Sequence, residues 1–181
     1  MKEPDKVLDE YLVTRAQAGS REAFERLARR WTPGLLRFAM RNIGQQETAR
    51  DIVQETWVAA IRSLGRLNDA ARFRSWIYGI ARRKCIDVIR SSQARRKLAG
   101  RLQGESQAEN VVPAAAPGVV DESGLGKALD RLGHEQREVV ALYYGEGLSI
   151  DEISAVISVP AGTVKSRLFH AREFLKKQLG D

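Results

Sequence analysis

Hydrophobic residues recur at helical spacing through most of this chain, and no convincing run alternates with the period of two that marks a strand. The clearest period falls between about Arg72 and Arg96. There Phe73, Trp76, Ile77, Ile80, Ala81, Cys85, Val88 and Ile89 follow the i, i+3, i+4, i+7 rule, with Arg74, Tyr78, Arg82, Arg83, Asp87 and Arg90 opposite. Upstream, Val7 to Ala18 predicts an amphipathic helix that stops near Gly19. Ser20 is placed to cap a second helix, with Phe24 and Leu27 inward. Thr32-Pro33 predicts a fresh start, a cap followed by proline in the first turn, for a helix carrying Leu35, Leu36 and Phe38 to Gly44. Glu47 to Leu64 predicts another, ending at Gly65.

Near the other end the pattern shortens. Ser149 can cap a helix, with Glu152 completing a capping box, and Ile153 and Ile157 share its inner face. Val159-Pro-Ala-Gly162 breaks the pattern, and Pro160 suits the first turn of the next helix. Val164 and Leu168 mark that helix's inner face; Lys165, Ser166, Arg167, His170 and Arg172 fall largely elsewhere around it. This is the helix-turn-helix pattern, whose second helix enters the DNA major groove. A hairpin that used its basic residues only for solubility would mix both signs, whereas Lys165 to Arg172 contains no acid.

Between the two helical stretches, residues 98–124 contain Gly100 and Gly104 before Pro113, then Pro117, Gly118 and Gly124, and hold no period. The segment is acidic: Glu105, Glu109, Asp121 and Glu122 stand against Arg101. The expected fold is all-α, with two small helical domains, residues 1–97 and 125–181, joined by a flexible linker at 98–124.

A net charge of +7 over 181 residues favours a polyanionic partner, nucleic acid above all. Eight basic residues and one acid between Arg82 and Arg101 suit a nucleic-acid backbone track. No apolar run approaches the ~20 residues that span a bilayer, and Met1-Lys-Glu-Pro-Asp5 lacks a signal-peptide core, so a cytoplasmic protein without membrane insertion is expected. Cys85, the single cysteine, lies on the apolar stripe and reads as a buried small hydrophobe. With only His134 and His170 beside it in the composition, no metal-ligand spacing appears, and no phosphate-cradling loop or nucleophile elbow is present. Neither an enzyme nor a cofactor is expected.

Three segments together resemble the extracytoplasmic-function (ECF) group of bacterial RNA polymerase sigma factors. Ala49-Arg-Asp-Ile-Val-Gln-Glu-Thr-Trp-Val-Ala-Ala60 is similar to the group's polymerase-binding helix. Phe73-Arg-Ser-Trp-Ile-Tyr-Gly-Ile-Ala-Arg-Arg-Lys84 is similar to its promoter-melting helix. Gly162-Thr-Val-Lys-Ser-Arg-Leu-Phe-His-Ala-Arg-Glu173 is similar to its −35-reading helix. The resemblance covers roughly residues 10–97 and 125–179.

The resemblance implies a division of labour. Asp51, Gln54, Glu55 and Trp57 would face core RNA polymerase, with Trp57 as an anchor or, on the other reading, part of the core. The loop from Arg66 to Phe73 would receive a flipped −10 base, read by Asn68 and Asp69, while Arg72, Arg74, Arg82, Arg83, Lys84 and Arg90 hold phosphates. Trp76, on the apolar stripe, reads as core rather than as a stacking platform. Thr163, Lys165, Ser166, Arg167 and His170 would contact the −35 element, and Arg172 its backbone. Lys165 and His170 stand where the group often has arginine, so the bidentate fork is lost there. The linker, about 27 residues at ~3.3 Å each, reaches at most roughly 90 Å. Promoter elements about 25 base pairs apart lie near 85 Å at ~3.4 Å per step. An anti-sigma factor is an implied partner. The rival reading is an autonomous helix-turn-helix regulator that binds duplex DNA without polymerase.

Overall fold

The computed structural model describes residues 3–102 and 124–180, and among them every regular element is helical. Four helices form an N-terminal bundle: α1 (Glu3–Gln17), α2 (Arg21–Ile43), α3 (Gln46–Ser63) and α4 (Phe73–Leu102), with short 3₁₀ turns at Leu64–Arg66 and Ala70–Arg72 before α4. Four more form a C-terminal bundle: α5 (Gly124–Asp130), α6 (His134–Val140), α7 (Ile150–Ile157) and α8 (Ala161–Leu179). The expected linker lies outside the described residues from 103 to 123. Its first residues, 98–102, belong to α4 instead. Arg, Lys, Leu and Ala are good helix formers, so one glycine at 100 does not stop the helix.

The local signals act where the pattern places them. Ser20 Oγ accepts from the Ala23 amide, and Gly44, at φ +74°, closes α2 by donating to the Met40 carbonyl. Ser149 and Glu152 form the reciprocal capping box that starts α7.

Pro33 is the exception. α2 runs unbroken through it, so the two helices expected on either side of Thr32 are one. A proline inside a helix removes one bond and costs about 3 kcal/mol. Here Leu27, Trp31, Leu35 and Phe38 carry a single buried stripe across it. The apolar area that this stripe buries outweighs the lost bond. Thr32, expected as a cap, uses its hydroxyl to accept from the Trp57 indole N–H at 3.0 Å.

The tight turn also departs from expectation. Its left-handed residue is Ser158, at φ +56°, and Gly162 sits inside α8. Ser154 Oγ donates to the Val159 carbonyl at 2.6 Å, tying the turn back to α7.

One hydrophobic core runs through both bundles, because α7 packs along α4. In the N-terminal bundle Trp31, Phe38, Phe73 and Tyr78 meet edge-on around α2 and α4. Asp9 of α1 is buried there, held by Arg30 at 2.8 Å and by the Trp31 indole N–H at 3.3 Å. Burial still raises its pKa above the usual aspartate value, against the pull of Arg30. In the C-terminal bundle Val139, Leu142, Leu148, Ile153, Val164 and Leu168 fill the space between the helices.

Candidate nucleic-acid and polymerase interfaces

α3 buries Ala49, Ile52, Val53, Thr56 and Ala60. The helical period therefore sends Asp51, Gln54 and Glu55 to the opposite face, where all three are exposed. Val58 and Ile61 continue that exposed stripe at 44% and 62% accessibility. Sequence reasoning missed these two, because aliphatic residues in a helix default to core. Gln54, Glu55, Val58, Ala59, Arg62 and Lys84 line a groove between α3 and α4. Lys84, expected on phosphate, reaches Glu55 at 2.9 Å on its rim. Trp57 leaves the stripe: it is half-buried, edge-on to Phe24 at 5.6 Å and bonded to Thr32. The side chain thus packs against α2 while remaining partly exposed.

The loop between the 3₁₀ turns presents Asn68 to solvent. Asp69 is also exposed, but its Oδ1 accepts from the Ala71 amide at 2.9 Å and its Oδ2 lies 3.3 Å from Arg72. Gln17, at the end of α1, holds the loop from below. Its side-chain amide donates to the carbonyls of Leu64 at 2.9 Å and Leu67 at 2.7 Å. A glutamine in the last turn of an amphipathic helix gives no sign in the sequence of a contact about fifty residues away.

α4 departs furthest from the sequence reading. Arg72, Arg83 and Arg90 are exposed, as an open basic track requires. Arg74, Tyr78 and Arg82, expected on the same solvated side, lie against the C-terminal bundle instead. Tyr78 is 1% exposed. Arg82 makes a bidentate pair with Glu138 of α6, at 2.7 and 3.3 Å. Arg74 is buried, donates to the Glu146 carbonyl, lies 3.7 Å from the Glu152 carboxylate and sits over the Trp31 ring. The face is polar because it meets another bundle's polar groups, a reason that helical periodicity alone does not reveal.

Glu146 is the centre of that contact, and the sequence reading gave it no role. α6 runs on through a π-helical turn, Ala141–Gly145, which ends at Glu146. The Glu146 side chain is 2% exposed. Its Oε1 accepts from Arg41 at 2.8 Å; its Oε2 accepts from the Tyr78 hydroxyl at 2.8 Å and from Arg37 at 3.3 Å. Burial, then the neighbouring carboxylate, pushes the Tyr78 phenol far above its usual pKa, so it stays a donor. Two glycines permit the approach. A Cβ on Gly34 would stand 2.6 Å from the Tyr78 hydroxyl, and one on Gly145 would run into the Arg41 guanidinium.

On α8, Val164, Leu168 and Ala171 face inward. Lys165, Ser166 and His170 are exposed on the other side, and Thr163 is half-buried near the start. Phe169 stands among them at 58% exposure, edge-on to His170, and was not anticipated. Arg167 is drawn to Glu135 at 2.8 Å. Arg172 donates to the Tyr144 hydroxyl at 2.7 Å and lies over the Tyr143 and Tyr144 rings.

An all-α chain that ends in a capped helix-turn-helix, and carries a basic helix beside an exposed acidic one, defines a class: two-part DNA-binding transcription proteins. Residues 27–96 match the family Sigma-70 region 2, and residues 124–175 match Sigma-70, region 4. The RNA polymerase sigma factor CarQ of Myxococcus xanthus is 32% identical, over 93% of this chain and 96% of its own. The ECF RNA polymerase sigma factor SigL of Mycobacterium tuberculosis H37Rv is 33% identical over 80% of this chain and 82% of its own. The ECF sigma factor BldN of Streptomyces coelicolor is 30% identical, and this chain spans 65% of its length. Among solved structures, CnrH in complex with the cytosolic domain of CnrY is similar, with TM-score 0.68 and 28% identity, over 95% of this chain and 97% of that one. The chain belongs to the ECF group of RNA polymerase sigma factors, which direct polymerase in transcription initiation.

Proposed function

We propose that the two bundles divide promoter recognition between them. The exposed stripe of α3, Asp51, Gln54, Glu55, Val58 and Ile61, binds core RNA polymerase, with Trp57 setting the helix in place from behind. The loop at Asn68 and Asp69, steadied by Gln17, takes a −10 base, and Arg72, Arg83 and Arg90 hold the strand's phosphates. Lys165, Ser166, Phe169 and His170 read the −35 element; Thr163, Arg167 and Arg172 serve its backbone. The chain acts by binding, with no enzymatic step of its own, and works in the cytoplasm where polymerase acts.

The observation that carries this reading is the exposure of two unlike faces on one chain. One is an acidic and aliphatic stripe on α3, the other a cationic and aromatic stripe on α8. An autonomous duplex-binding regulator has no use for the first. A protein partner of the anti-sigma kind is also proposed. CnrH is solved with CnrY, and the sigma factor RpoE of Bartonella quintana, 27% identical with TM-score 0.61, is solved with the anti-sigma factor NepR.

Run-off transcription with purified core polymerase and genomic DNA fragments tests the reading. It expects promoter-specific transcripts that need both proteins. Asp51→Lys with Glu55→Lys should abolish core binding, whereas Lys165→Ala should shift −35 preference with core binding intact. Specific duplex binding by the chain alone, with no effect on polymerase, would support the autonomous regulator instead.

A further inference from the structure

The contact between the bundles has an unusual distribution of charge. Along one side of α4, Arg74, Tyr78 and Arg82 recur at every fourth position, spanning about 12 Å of helix at ~1.5 Å per residue. Each is met by oxygen from the C-terminal bundle: Arg74 by the Glu146 carbonyl and the Glu152 carboxylate, Tyr78 by the Glu146 carboxylate, Arg82 by Glu138. Arg37 and Arg41 of α2 add two more donors, both to Glu146. In each of these pairs, among the described residues, the cation belongs to the N-terminal bundle and the anion to the C-terminal one.

The three donors on the Glu146 carboxylate come from two helices of one bundle. Take the carboxylate away and Arg37, Arg41 and Tyr78 remain aimed at one point, with Arg74 beside it. Guanidinium groups and a hydroxyl converging on one anion are the chemistry that recognises a phosphate. The fit to the carboxylate is also incomplete. Arg37 is at 3.3 Å rather than the 2.7–2.9 Å of a good charge-assisted bond, and Arg74 Nε is buried with no hydrogen-bond partner. The same helix continues outward into Arg83 and Arg90, which are exposed. The site therefore lies at the covered end of a track whose other end is open.

We infer that Glu146 stands in for a DNA phosphate. In the closed chain it occupies an anion site built by Arg37, Arg41, Arg74 and Tyr78. When the bundles part to reach two separate promoter elements, that site takes a backbone phosphate of the −10 strand. Closure and strand binding then compete for the same donors, and the free chain is held from DNA until something draws the C-terminal bundle away. This inference rests on the promoter-binding reading above.

The test uses the full chain, a fluorescein-labelled single-stranded promoter oligonucleotide, and donor and acceptor dyes placed one on each bundle. Glu146→Gln keeps the shape and removes the charge; Glu146→Ala removes both. Both are checked for helical content and thermal unfolding, so that loss of folding is seen directly. The expected result is a longer dye-to-dye distance and an oligonucleotide affinity at least fivefold above the original chain's. The slope of log affinity against log salt should steepen by about 0.7, one phosphate on a single strand. Adding Arg37→Ala with Arg41→Ala to Glu146→Gln should remove the gain and the added slope while the dyes stay apart. Unchanged distance in both variants overturns the closure. Separated bundles without tighter, more salt-dependent binding overturn the phosphate site, as does a gain that survives loss of Arg37 and Arg41. Run-off transcription by the original chain, measured in parallel, shows whether the promoter-binding reading itself stands when the inference fails.

Discussion

Replacing Val58 and Ile61 with alanine separates what α3 does for the fold from what it does for a partner. The two side chains lie on the exposed stripe, at 44% and 62% accessibility, beside Gln54 and Glu55. Full burial of such a side chain is worth roughly 1.5–3 kcal/mol. Only the still-exposed part is available to a partner, so Ile61 can contribute about 1–2 kcal/mol and Val58 about half that. The pair, Val58→Ala with Ile61→Ala, should therefore weaken core polymerase binding by about 2 kcal/mol, close to thirtyfold in Kd. Chain stability should move the other way or stay level, because alanine has the higher helix propensity and surface changes cost within about 0.5 kcal/mol. Ile52→Ala is the control: that side chain is 2% exposed, and its loss should cost about 2–5 kcal/mol of stability. Anisotropy titration of the labelled chain with core polymerase, alongside urea unfolding, gives both numbers. Affinity unchanged within twofold, or a drop in stability as large as that of Ile52→Ala, would refute the assignment of this stripe.

Gln17→Ala removes two bonds that steady the loop at Leu64 and Leu67, and should cost about 1 kcal/mol locally. Permanganate footprinting should then show weaker −10 opening at unchanged core affinity. Cys85 is buried and its thiol is pushed up to about 12 by desolvation, so it should resist iodoacetamide at pH 8 in the folded chain and react once unfolded. The unfolded chain releases that proton near its ordinary value of 9.0, so folding retains it; stability should fall as pH rises from about 9 toward 12, and Cys85→Ala should flatten the fall in an alkaline unfolding series. Ser149→Ala breaks the capping box of α7 and should cost about 1 kcal/mol in thermal or urea unfolding.

What the sequence makes legible here is whatever depends on neighbours within a helical turn or two. Ser20, Gly44 and the Ser149–Glu152 pair act locally, and each ends or starts a helix where its chemistry says it should. The all-α class and the buried faces of α7 and α8 follow from the same short-range period. Thr32-Pro33 misleads for the complementary reason. Its local signal is a helix start, but Leu27, Trp31, Leu35 and Phe38 share one buried stripe, and tertiary packing keeps the helix going. Trp57 and Gln17 are decided by partners 25 and about 50 residues away, Thr32 for one and the Leu64 and Leu67 carbonyls for the other. Nothing in the local pattern encodes those partners.

The same distinction bears on how α4 works. Periodicity divides this helix into an apolar face and a basic one, and a basic face suggests permanent exposure to DNA. The structure divides the basic face again. Arg83 and Arg90 meet solvent, whereas Arg74 and Arg82 meet the carboxylates and a carbonyl of the other bundle. A buried ion pair gains little net stability over a well-packed apolar contact, because both charges must first be desolvated. Beside the apolar contact of α7 on α4, such pairs therefore make the interface specific more than they make it strong. Losing it on opening is offset when the freed guanidinium groups find phosphates, which replace the carboxylates in kind. Apolar residues in place of Arg74 and Arg82 would hold the closed chain as well, but would give an opened chain nothing with which to grip a strand. The arginines suit a helix that must serve two partners in turn, and that requirement explains why the side facing the C-terminal bundle is charged at all.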